Sequence, residues 1–379
     1  MFAVRPDRRP SGAGGDAAFE SRQGVRFEGV SKTYEGSTVA VDSIDLECPA
    51  GEITVFVGPS GCGKTTTLRM INRTVLPTKG TVSLGNRDVS QLGLNELRRG
   101  MGYVIQDGGL FPHRTIQQNV ATIPLLTGTP KRQAYAQAVE LLARVGLSQD
   151  LAKRYPYQLS GGQRQRVGVA RALAGDPPVL LMDEPFSAVD PVVRGELQQE
   201  LLQLQRELRK TIVFVTHDMD EAVLLGDRIA VFAEGGRLAQ VAPPEAILTD
   251  PADPFVENFV GGDAGVRWTG LLPATDVALS RPPTVTDTEN QSADTWRLRI
   301  DSSGRLLGWQ PPGTASPDAL VPCRRTFRPD REPVRAVLDA LLLSPCGLAP
   351  AVDADAHLIG VADAAAVGDV LTTHRGQVS

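Results

Sequence analysis

The first stretch of the chain has no hydrophobic rhythm. Residues 1 to about 23 are rich in Gly, Ala, Arg and Ser, and a disordered N-terminal tail is expected there. A strand-rich stretch starts at Val25-Arg26-Phe27 and resumes over Ala40 to Cys48. Ile53 to Val57 is an apolar, β-branched run that ends at a glycine-rich loop and reads as a strand. A helix is expected from about Lys64 to Asn72, and a further strand over Gly102 to Ile105. Over residues 115 to 158 the period becomes helical. Ala134, Ala138, Leu141, Leu142 and Val145 recur at helical spacing, and Gly146 stops the run. Val167 to Ala174 also reads as helix. Val179 to Met182 and Ile212 to Thr216 are two buried strands, and Val192 to Lys210 between them alternates charge with leucine like an amphipathic helix. Strands and helices thus alternate around a parallel sheet. The prediction is an α/β domain over residues 24–262 with a helical insertion at about 107–175.

Near Gly262 the character changes. Lysine disappears, and prolines collect at Pro273, Pro282, Pro283, Pro311 and Pro312. A weak internal repeat appears, in which Ile300 to Gly308 aligns with Val352 to Gly360 at an offset of about fifty residues. Each copy reads strand, acidic turn, strand. A helix over Val334 to Leu343 precedes the second copy, and the first has no clear counterpart. Residues 263–379 are therefore expected to form a small, repeated α/β region.

Composition narrows the class. With 379 residues, 41% hydrophobic and 22% charged, the chain is an ordinary globular protein long enough for two or three domains. A net charge of −5 provides no basic field for nucleic acid. Cys48, Cys62, Cys323 and Cys346 have no metal-binding spacing and read as free thiols. No stretch approaches the ~18–20 apolar residues that span a bilayer. Arg5, Arg8 and Arg9 are not followed by the apolar segment of a signal peptide.

The chemistry starts at the end of the strand Ile53 to Val57. Gly58-Pro59-Ser60-Gly61-Cys62-Gly63-Lys64-Thr65 fits G-x-x-x-x-G-K-[ST] between a strand and a helix, the layout that pattern requires. Its glycines let backbone N–H groups converge on phosphate oxygens. Lys64 brings positive charge to the β- and γ-phosphates of a nucleotide, and Thr65 offers its hydroxyl to Mg²⁺. Ser60, Cys62 and Thr66 belong to the same contact surface, with Cys62 read as a small residue filling a tight turn. The strand Val179 to Met182 ends in Asp183-Glu184, where ligands gather on such sheets. Asp183 is expected to hold Mg²⁺ through water, and Glu184 to act on the attacking water as base or positioner. Gln106, after the strand Gly102 to Ile105, is placed to reach both metal and water. His217 is read as a γ-phosphate contact. Tyr34 is either an adenine-stacking platform or an ordinary strand-edge aromatic.

With Leu159-Ser160-Gly161-Gly162-Gln163-Arg164-Gln165-Arg166, the set resembles the nucleotide-binding subunit of ATP-binding cassette (ABC) transporters over about residues 25 to 245. That segment is the family's signature and the most specific part of the match. Tyr34, Gln106, Ser187-Ala188-Val189-Asp190 and His217 fall where the family places its adenine stacker, glutamine loop, inter-subunit aspartate loop and histidine switch. The resemblance implies a RecA-like P-loop fold, ATP and Mg²⁺ as ligands, and a head-to-tail dimer. In that dimer Ser160, Gly161, Gly162 and Gln163 of one copy close over ATP on the loop of the other. Integral membrane permease subunits would be its partners, an extracytoplasmic binding protein would act through them, and this chain would sit peripherally on the cytoplasmic membrane face. A DNA-repair or chromosome ATPase would need a long coiled coil or a zinc module between loop and signature, and a translation factor of the superfamily usually carries two cassettes.

Met70-Ile71-Asn72-Arg73, Pro77-Thr78-Lys79-Gly80 and the run from Leu97 to His113 resemble importers of glycine betaine, choline, carnitine or proline. Another small solute, such as an amino acid, is the alternative cargo. Subunits of that group end in tandem cystathionine-β-synthase-type modules, which the repeat at 300 and 352 resembles in degenerate form. The Thr that helps hold a ribose in intact modules is missing after Gly360, so adenine nucleotides are not expected there. Arg324, Arg325, Arg328, Arg331 and Arg335 form either a lipid- and salt-sensing patch or a solvated face paired with Asp330 and Glu332.

Overall fold

The computed structural model describes residues 23–36, 38–105, 108–187, 189–282, 284–286, 294–314, 316 and 319–378. The expected tail lies outside them except at its last residue, as do Gln106 and Ala188. The described residues divide after Gly261 into two compact units.

In chain order the first unit begins β1 (Val25–Thr33), β2 (Val39–Cys48), β3 (Ile53–Val57), α1 (Lys64–Ile71), β4 (Lys79–Leu84), β5 (Arg87–Asp88), α2 (Leu94–Arg99) and β6 (Met101–Val104). It continues α3 (Ile116–Val120), α4 (Thr122–Leu126), α5 (Lys131–Arg144), α6 (Gly161–Leu173), β7 (Val179–Asp183), α7 (Pro191–Leu208), β8 (Thr211–Val215), α8 (Met219–Leu225), β9 (Arg228–Ala233) and β10 (Arg237–Ala242). Two sheets result. An antiparallel one runs β2-β1-β4-β5, and the other runs β10-β9-β3-β8-β7-β6. In the second, β9, β3, β8, β7 and β6 are parallel, and β10 is an antiparallel edge. Every residue of β3, β7 and β8 is buried, as expected of parallel strands covered on both faces. Phe27 and Leu46 from one sheet and Phe56, Leu181 and Val213 from the other share a single core with Leu68 and Ile71 of α1. That core clamps the turn between β3 and α1.

Residues 115 to 158 are less regular than their periodicity predicts. The helix breaks at Ala121 and again at Gly128 to Pro130, and short 3₁₀ turns cover Gln149–Lys153 and Pro156–Gln158. Pro130 and Pro156 supply no backbone N–H, and Gly128 and Gly146 turn the chain at positive φ. Ala134, Ala138 and Leu142 nevertheless pack with Ile116, Leu151 and Val167 in a core of their own. The helix expected from Val167 begins earlier, at Gly161.

The second unit contains β11 (Thr284–Thr286), β12 (Arg297–Ile300), β13 (Leu306–Gln310), α9 (Val334–Leu342), β14 (Ala349–Val352), β15 (Leu358–Ala362) and α10 (Ala364–Val378). Both repeat copies form antiparallel hairpins, β12/β13 and β14/β15. Their turns are built alike. The Asp301 carboxylate accepts the N–H groups of Ser303 and Arg305, and Asp353 accepts those of Asp355 and His357. The two turns also bond each other, Leu306 N to Ala356 O at 3.1 Å and Leu358 N to Gly304 O at 3.0 Å. Arg325 pairs with Glu332 at 2.6 Å, and Arg328 and Arg331 with Asp330 at 2.7 and 3.8 Å. These three arginines therefore meet opposite charge, with Asp330 exposed and Glu332 buried.

Candidate functional site

The carboxyl ends of three adjacent strands, β3, β8 and β7, carry the predicted chemistry. After β3 the chain turns through Gly58, Gly61 and Gly63 at φ 153°, 81° and 95°. A Cβ on Gly58 would lie 2.2 Å from the Phe232 carbonyl oxygen, and one on Gly63 would lie 2.0 Å from that of Ala40. Both contacts are with backbone, which has nowhere to move, so only glycine fits the cradle. Gly63→Ala is accordingly expected to lower folding stability by about 1–3 kcal/mol or more, read as a drop in the urea midpoint. An unchanged midpoint would mean that the loop is looser than this.

Lys64 is buried, and its ammonium donates to Gly58 O at 2.7 Å and Pro59 O at 2.8 Å. The loop thereby holds a fixed cation at its own backbone. Cys62 is 1% exposed beneath the loop, and burial pushes its thiol pKa up against the opposing pull of Lys64. It stays a neutral filler rather than a thiolate. Ser60 and Gly61 are exposed, and Thr66 is half-buried at the start of α1.

The Thr65 hydroxyl donates to Asp183 Oδ1 at 2.8 Å. Asp183 ends β7, and its other oxygen faces the Tyr103 hydroxyl at 3.3 Å and the Arg69 guanidinium at 3.5 Å. Tyr103 and Arg69 are additions that the sequence reading lacked. Their signal was there, since Tyr103 is the one polar side chain in β6 and Arg69 lies four residues after Thr65 on α1. A hydroxyl against a carboxylate is a hard-oxygen pair suited to Mg²⁺. Glu184 follows with φ 44°, a left-handed backbone uncommon for a non-glycine residue. Its N–H bonds Val215 O of β8 at 3.0 Å, and its carboxylate meets His217 Nδ1 at 3.1 Å. The strained turn re-aims Glu184 toward the end of the neighbouring strand.

Ser160 caps α6. Its hydroxyl accepts the Gln163 N–H at 3.2 Å, and the Gln163 side chain accepts the Ser160 N–H at 3.0 Å. This reciprocal capping box is legible in Ser-Gly-Gly-Gln and fixes the helix start that periodicity misplaced. Ser160 and Gly161 are exposed, Gly162 is buried, and the first N–H groups of a thirteen-residue helix open at this end. No hydrogen bond among the described residues joins Ser160–Gln163 to the loop at Gly58–Thr66. Asp190 caps α7, accepting the Val192 N–H at 2.9 Å. Tyr34 is 43% exposed with the Lys32 ammonium 5.0 Å from its ring centroid, leaving a face for either reading given above.

The family model described as "ABC transporter" matches residues 41–187. The glycine betaine/carnitine/choline transport ATP-binding protein OpuCA of Bacillus subtilis is 46% identical over 282 residues, 73% of this chain and 74% of that protein. The osmoprotectant import ATP-binding protein OsmV of Salmonella typhimurium is 41% identical over 372 residues, 93% of this chain and 97% of that protein. Among solved structures, the dimeric post-hydrolysis state of the ATP-binding cassette MJ0796, bound to ADP and Pi, superposes with a TM-score of 0.53 at 33% identity, covering 58% of this chain and 98% of that one. No described helix is long and apolar enough to cross a membrane. With a P-loop α/β fold and a relative 41% identical over nearly its whole length, the chain belongs to the ABC transporter family, among the ATP-binding subunits of osmoprotectant-type importers.

Proposed function

We propose that this chain hydrolyses ATP to energise an importer of small quaternary amines of the glycine betaine, choline and carnitine class. The observation that carries the catalytic reading is the pair of contacts at neighbouring strand ends, Thr65 to Asp183 at 2.8 Å and Glu184 to His217 at 3.1 Å. The glycine loop and Lys64 bind the phosphates. Thr65 and Asp183, with Gln106, would hold Mg²⁺, whose charge offsets that of the phosphates when it is bound. Glu184 takes the proton of the attacking water, and His217 contacts the γ-phosphate. Tyr34 stacks on the adenine. Ser160, Gly161, Gly162 and Gln163 of a second copy close over the nucleotide, with Asp190 in the facing loop, so hydrolysis opens a head-to-tail pair. The pair would sit on permease subunits at the cytoplasmic membrane face.

The solute class rests on the relatives' substrates. The repeated hairpins support reading residues 263–379 as a degenerate pair of cystathionine-β-synthase-type modules. Uptake of labelled glycine betaine, in cells with the wild-type protein or Glu184→Gln at low and high osmolarity, tests both levels. Uptake that needs Glu184 and rises with osmolarity is expected. Glycine betaine uptake indifferent to Glu184 would remove that solute, and choline, carnitine and proline would be screened next.

A further inference from the structure

His217 is tethered from behind by a buried acid that the reaction scheme leaves unused. Glu221, on α8, is 6% exposed. Its Oε2 accepts the Thr216 hydroxyl at 2.6 Å, and its Oε1 accepts the Gln198 amide at 3.1 Å. Thr216 Oγ1 in turn accepts the Asp218 N–H at 3.0 Å. The residues on both sides of His217 are thus held through one carboxylate. Gln198 comes from α7, the helix that Asp190 caps. One turn earlier on the same face, Arg194 lies 3.9 Å from the Asp218 carboxylate and donates to Val189 O at 3.3 Å. Two ties therefore run from the helix behind the aspartate loop to the turn bearing His217.

We infer that Glu221 is a positioning residue for His217: with Thr216 and Gln198 it sets the ring against Glu184. This inference rests on the role proposed for His217. An acid buried with two donors converging on it is costly in a core unless its geometry is used. An apolar residue would pack the same space without holding the His217 turn. Replacing the carboxylate by an amide removes one of the two acceptors, so Thr216 or Gln198 must reverse its hydroxyl or its amide to stay bonded, which shifts the turn while keeping the side chain's volume.

The test uses the purified full chain with Glu221→Gln, His217→Ala and the double variant. Glu221→Gln is expected to lower kcat by up to about 10²-fold, the scale for a misplaced reacting group. KM for ATP should stay within about twofold, because the phosphate loop is untouched. In the His217→Ala background the same change should cost less than about twofold more, since the two act as one unit. Spectra of ¹³C-labelled histidine give an arm independent of turnover. The chain has four histidines, so His217 is assigned by its loss in His217→Ala. Its signal is expected to move in Glu221→Gln while those of His113, His357 and His374 stay. An unmoved His217 signal, an unchanged kcat, or a loss that multiplies on top of His217→Ala would overturn the inference. A His217→Ala chain with normal turnover would instead remove the role given to His217, and the spectra would still decide whether Glu221 positions the ring.

Discussion

Glu184→Gln is expected to slow ATP hydrolysis by about 10²–10⁴-fold, the contribution of a positioned general base. The amide has the shape of the carboxylate and can still meet His217 across the 3.1 Å contact, and the Glu184 N–H bond to Val215 O does not depend on the side chain. What it cannot do is accept a proton from water. The glycine loop, Lys64, Thr65 and Asp183 are untouched, so nucleotide binding should persist. A chain that binds ATP and does not hydrolyse it should remain closed on its partner copy. Gel filtration with ATP should then give a species of twice the monomer mass. The two readouts separate two claims. Near-normal turnover would remove Glu184 as the base, whereas slow turnover with monomers at saturating ATP would remove the closed pair.

Lys64→Ala should be almost as damaging, by a different route. Its ammonium is buried and held by two backbone carbonyls, which fix its position. Charge contacts of this kind contribute about 10²–10³-fold to turnover. Because the role proposed for Lys64 covers bound phosphate as well as the transition state, nucleotide affinity should also drop. The expected signature is loss of ATP-induced thermal stabilisation together with loss of turnover. ATP protection equal to that of the wild type would show that the cation acts on the transition state alone. The substitution also strips Gly58 O and Pro59 O of a donor, so the unfolding midpoint without nucleotide must be measured alongside. A large fall there would mean that Lys64 chiefly braces the loop.

Much of this was legible along the chain because it is locally encoded. A run rich in apolar and β-branched residues marks a strand covered on both faces, and Ile53–Val57, Val179–Met182 and Ile212–Val215 declare themselves in this way. The phosphate loop is legible because its need for left-handed backbone is met by glycines within one turn. The two hairpin turns at Asp301 and Asp353 are local for the same reason, since each carboxylate caps its own following residues. The signature helix start could also have been read, from the capping box at Ser160 and Gln163.

What the sequence left open depends on neighbours in space. Parallel strands are joined by crossovers, so sequence order does not give sheet order. Only the fold inserts β8 between β3 and β7, bringing His217 to Glu184 across 33 residues of chain. The same holds for Tyr103 and Arg69 on Asp183, and for Gln198 and Thr216 on Glu221. Those contacts join different elements, and no periodicity predicts which side chain a buried carboxylate will meet. The pairing of Arg325, Arg328 and Arg331 with acids was likewise settled by charge in three dimensions. The sequence by itself determined the phosphate loop, the buried strands and the signature, because backbone torsion and burial pattern are properties of short segments. The tertiary structure alone decided which groups face one another at the strand ends, because that follows from strand order and the strained turn at Glu184.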